Sequence, residues 1–64
     1  MQYLNKKEFI KQIELKLKNI KVTDSNKDQI NNILIDLDYY KFNKLNEHDS
    51  YIIKAIIIDS LESL

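Results

Sequence analysis

Four serines, Ser25, Ser50, Ser60 and Ser63, and one histidine, His48, are the residues from which nucleophilic catalysis would have to be built. A serine nucleophile needs a base beside it and a third group to orient that base. The sequence offers one imidazole and no thiol. Ser50, close to His48, is better explained as a helix-capping residue. Asp36 and Asp38 invite a carboxylate pair, but residues at i and i+2 of a helix point to different faces, so they form no dyad. A metal site at Glu47, His48 and Asp49 would need ligands from elsewhere, and no spacing motif supplies them. Glycine is absent, which removes any glycine-rich phosphate loop. The expectation is a protein that is not an enzyme, with no cofactor, no metal and no small-molecule substrate.

The elements behind these residues are helical. Asn5 followed by Glu8 makes a capping box, and Leu4 with Phe9 occupies the two hydrophobic-staple positions. Phe9, Ile10, Ile13, Leu17 and Ile20 then fall in one stripe roughly 100° wide, with Lys7, Lys11, Glu14 and Lys18 opposite. This predicts a first helix over about residues 6–20. The alternation of Ile20, Lys21 and Val22 is the best remaining strand signal, so residues 19–23 are strand or loop. Ser25 as N-cap, with Asp28 in the first turn, opens a second helix over about residues 26–40, whose stripe is Ile30, Ile33, Leu34 and Leu37. Ile35 and Tyr39 lie off that stripe. Residues 41–47 read as a loop in which Asn43 and Asn46 are the best candidates for a left-handed backbone. Asn46, Asp49 or Ser50 then caps a third helix over about residues 49–64.

That third helix is apolar on more than one side. Ile53, Ile56, Ile57, Leu61 and Leu64 make a broad face, while Tyr51, Ala55 and Ile58, with Ile52 between, make a second seam. A helix apolar on most sides is normally buried on most sides. The whole chain, 1–64, therefore reads as one all-α domain, a small three-helix bundle that self-associates through its third helix. A chain of 64 residues buries only about 60% of its unfolded surface, so a homodimer or a host protein is the available reinforcement. The seam of Tyr51, Ile52, Ala55 and Ile58 is the expected interface. Tyr39, Tyr40 and Phe42, near Tyr51, either seal the connection between the second and third helices or form an aromatic anchor patch.

Net charge is zero but unevenly laid out. Residues 1–22 hold Lys6, Lys7, Lys11, Lys16, Lys18 and Lys21 against Glu8 and Glu14, for +4; residues 23–64 carry −4. Either the basic first helix packs beside acidic neighbours, or Lys7, Lys11, Lys16, Lys18 and Lys21 attract phosphate or an acidic partner. The N-terminus is charged where a signal peptide would be apolar, and the longest apolar run, residues 55–58, is far below the ~20 residues of a membrane span. A cytoplasmic protein with no membrane contact is expected. Lysine is the only strong base, and isoleucine, lysine and asparagine abound, as in translation from the A/T-rich DNA of low-GC bacteria, their phages and plasmids.

Nucleic-acid binding is the competing class. A helix-turn-helix is disfavoured by the long connection and by a recognition helix made mostly of isoleucine. Residues 20–64 do resemble the ribbon-helix-helix family in their order of short strand, helix and apolar helix, and Ser50 through Leu61 looks like that family's second helix. The resemblance implies a dimeric DNA-binding transcriptional regulator with Lys21 and Thr23 facing a groove. The chain departs from the family in its extra first helix, its long inter-helix loop and its lack of arginine, the usual reader of guanine. The leading expectation is a small regulatory or inhibitory protein acting by protein–protein interaction.

Overall fold

Asparagine side chains set the starts of the first and last helices. In the computed structural model, which describes residues 5–64, α1 spans Lys6–Lys18, α2 spans Lys27–Phe42 and α3 spans Glu47–Glu62. Asn5 Oδ1 accepts from the Glu8 N–H at 2.8 Å, and Asn46 Oδ1 accepts from the Asp49 N–H at 2.7 Å. Each bond satisfies one of the donors a helix start leaves without an intrahelical partner. The Asn5 amide also donates to the Glu8 carboxylate at 3.4 Å. Leu4, one half of the expected staple, lies outside the described residues. With Asn46 as its cap, α3 begins two residues before the expected Asp49 and ends at Glu62, where the Ser63 N–H and hydroxyl both donate to the Asp59 carbonyl. Asn46→Ala is expected to lower stability by about 1 kcal/mol. Urea denaturation followed by circular dichroism measures this, and an unchanged midpoint would mean that the cap contributes nothing.

The second helix departs from expectation at both ends. Ser25 does not cap it. Asn26 is the N-cap, and its side chain turns backward, accepting from the Thr23 N–H at 2.8 Å and donating to the Lys21 carbonyl at 3.1 Å. That grip, with Asn26 and Lys27 N–H groups on the Thr23 carbonyl, folds the linker onto the start of α2. Residues 19–23 are consequently not a strand, and none occurs among the described residues. At the other end α2 runs on through Lys41 and Phe42, since neither residue breaks a helix. The Asn43 amide then donates to the Tyr39 carbonyl at 2.9 Å. Residues 43–46 suffice to reverse the chain. No described residue has positive φ, so the left-handed conformation expected at Asn43 or Asn46 is not used; both are extended.

One core joins the three helices. Phe9, Ile13, Ile33, Leu37, Tyr40 and Ile57 form its centre, with Ile33 and Ile57 wholly buried, and Ile10, Leu17, Leu45, Ile53 and Leu61 pack around it. Phe9 meets Tyr40 edge-to-face, with ring centroids 5.5 Å apart and planes at 76°, a favoured arrangement of the two quadrupoles. α2 is the central element: α1 and α3 each dock on it, while no Cα of α1 comes within 8 Å of one of α3. Those two helices meet through side chains alone, as where the Lys54 ammonium sits 5.7 Å from the Phe9 ring centroid.

Candidate interaction surface

The central position of α2 decides which side chains stay outside. α3 has only α2 fully against it, so it buries one narrow side: Ile57, with Ile53 and Leu61 half-buried beside it. Residues advance by about 100° each, which turns Ile56 and Ile58 away from that line in opposite directions. Ile56, expected in the core, is exposed for this reason. The seam drawn from the sequence is on the surface as well: Tyr51, Ile52 and Ile58 are exposed and Ala55 is half-buried. Tyr51 is the most open of these at 71%. Leu34 is a second departure, exposed on α2 because it stands one residue off the line of Ile33 and Leu37.

The aromatic group divides. Tyr40 belongs to the core at 3% exposure, so its place in a surface patch is corrected. Burial pushes its phenol pKa above the ordinary value of 10, and the ring remains a neutral packing surface. The Lys6 ammonium lies 5.3 Å from its centroid, close enough for a cation–π contribution. Tyr39 and Phe42 point outward, Phe42 at 75% exposure with the Lys41 ammonium 5.6 Å from its centroid. Together with exposed Ile35 they repeat at i, i+4 and i+7, a second apolar stripe on the side of α2 away from the core. In the sequence Ile35 and Tyr39 already stand off the stripe that begins at Ile30, and Phe42 extends their line by one turn.

The lysines separate by location. Lys7, Lys11 and Lys18 fall along one exposed side of α1, Lys16 lies off that line, and Lys21 is exposed in the linker beyond the helix. Basic α1 docks on α2, which carries three aspartates against two lysines, but no α1 lysine is ion-paired with them among the described residues. The ion pair joining α1 to α2 runs the opposite way, Lys41 to Glu14 at 3.7 Å, and is exposed. Among the described residues no α1 lysine comes within 4 Å of an α3 carboxylate. Lys6 is engaged internally, donating to the Asn43 carbonyl at 3.0 Å. Between α1 and α2 an open groove of about 510 Å³ is lined by Lys6, Lys7, Ile10, Lys11, Glu14 and Lys41.

No protein-family model, curated protein or solved structure matches the chain. The site's meaning therefore rests on its own chemistry. His48 is exposed in the first turn of α3, and no group of three His, Cys, Asp or Glu side chains converges among the described residues. No described helix is long and apolar enough to cross a membrane. What the surface offers is apolar helix sides, two of them aromatic, bordered by charge of one sign on α1 and the other on α3.

Proposed function

We propose that this chain is a small non-enzymatic regulator or inhibitor that works by protein–protein contact, with the outer side of α3 as its working surface. One observation carries the reading. Among the described residues seven hydrophobic side chains form the core, while eleven large ones remain exposed, Tyr51, Ile52, Ile56 and Ile58 of α3 among them. Single exposed apolar residues are ordinary, but a helix that leaves four large ones exposed carries more apolar surface than its own fold covers, as interaction sites do. The isoleucine-, lysine- and asparagine-rich composition supports a source in a low-GC bacterium or one of its phages or plasmids.

Ile58→Lys tests the surface directly. Ile58 is 41% exposed, so a lysine there reaches water without entering the core. The expected result is loss of binding with an unchanged far-UV circular dichroism spectrum. Binding is read as self-association in sedimentation velocity and as capture by the tagged chain from a bacterial lysate, with and without nuclease. An unfolded variant would make Ile58 a core residue and end the reading. Capture that vanishes with nuclease would favour the competing one, duplex binding by the exposed lysines of α1, whose ribbon-helix-helix form lacks its strand here.

A further inference from the structure

We propose that the surface which covers the outer side of α3 is α1 of a second copy of this chain, laid antiparallel across it. This rests on the reading of α3 as an interaction surface and names its occupant. The first argument is charge. α1 holds five lysines and two glutamates, for +3; α3 holds Glu47, Asp49, Asp59 and Glu62 against Lys54, for −3. Within one chain the two helices share the core, but their backbones stay more than 8 Å apart and no ion pair links them among the described residues. Lys7, Lys11, Lys16 and Lys18 of α1 and the four carboxylates of α3 thus have no ion-pair partner among the described residues.

The second argument is where the charges stand along each helix. Lys6 and Lys7 sit at the N-terminus of α1, beside the positive end of its dipole, and Glu62 ends α3 with no basic residue in its last turn. Both placements are locally unfavourable. Antiparallel docking sets the start of α1 beside the end of α3 and offsets both at once. Spacing agrees with that direction. Lys7, Lys11, Glu14 and Lys18 follow one side of α1 in steps of four, three and four; Glu62, Ile58, Ala55 and Tyr51 follow one side of α3 in the same steps, read backward. In this pairing Lys7 meets Glu62, Lys11 passes Ile58 toward Asp59, and Lys18 reaches the Tyr51 ring. The groove lined by Ile10, Glu14 and the lysines of α1 receives Ile58.

A charge exchange tests the pairing. Lys7→Glu with Lys11→Glu makes one variant, and Asp59→Lys with Glu62→Lys makes the other. None of these four side chains belongs to the core. Lysines at the end of α3 also suit its dipole, so both variants should keep their helicity. In sedimentation velocity each variant alone is expected to self-associate at least about tenfold more weakly than the parent chain, whose association weakens with salt. An equimolar mixture of the two should recover the parent affinity, because each supplies the charge the other lost. A parent chain that stays monomeric, a lysine variant that associates like the parent, or a mixture that fails to recover would each overturn the proposal. The second of these results, with Ile58→Lys still abolishing association, would leave α3 as the contact surface and give it a different occupant.

Discussion

Ile33→Ala is expected to remove about 2–5 kcal/mol of stability. Ile33 is wholly buried, on the one helix against which both others dock. Its truncation leaves a cavity that neither neighbour can fill alone, since α1 and α3 do not approach each other's backbone. The scale of the loss matters because the total is small. A single core in a chain below about 70–80 residues rarely supplies more than 3–5 kcal/mol. The variant should therefore be substantially unfolded at room temperature, or lose its cooperative transition. Urea titration followed by far-UV circular dichroism reads this out. A sharp transition shifted by less than about 1 kcal/mol would show that the site collapses without cost, contrary to the fold described.

The second large effect contrasts two phenylalanines of the same size. Phe9→Ala should cost about 3–5 kcal/mol, a range typical of buried aromatics. It takes away the edge-to-face partner of Tyr40 and the ring beneath Lys54. Phe42→Ala should change stability by no more than about 0.5 kcal/mol, since that ring is 75% exposed. Side-by-side denaturation of the two variants measures the difference. Equal losses would mean that Phe42 is packed, and the outward stripe of α2 would then be part of the core.

The periodicity of single helices was readable, and their mutual arrangement was not. Phe9, Ile13, Ile33, Leu37 and Ile57 all fall where an apolar stripe puts them, because a stripe about 100° wide has one centre and the centre is buried in any packing. Ile56 and Leu34 fall at stripe margins, where burial depends on how closely a second helix stands alongside. For Ile56 on α3 only α2 does, and Leu34 stands one residue off the buried line of Ile33 and Leu37. Tyr40 shows the reverse: nothing local distinguishes it from Tyr39, yet only Tyr40 turns toward Phe9. Boundaries moved for equally local reasons. Several asparagines and serines competed for each cap, and only the fold decides which side chain reaches an unpaired N–H. Asn26 is the instructive case, spending its side chain on Thr23 and Lys21 instead. The exposed apolar surface was legible in pieces: the seam of α3 stood out, and Ile35, Tyr39 and Phe42 stood off the main stripe without reading as one line. The lack of ion pairs between α1 and α3 needed the three-dimensional arrangement, since sequence alone let the opposite helices neutralise each other.

The placement of α2 between the other helices also governs how quickly the structure can form. Each helix docks on its immediate neighbour along the chain, and the first and last need not find one another's backbone. The entropy of closing a long loop is therefore not spent before contacts begin to repay it. Helical domains dominated by such local pairings fold on a scale of about microseconds to milliseconds. A chain built this way passes rapidly through the partly folded stage in which its many apolar side chains would be most exposed to the wrong neighbours.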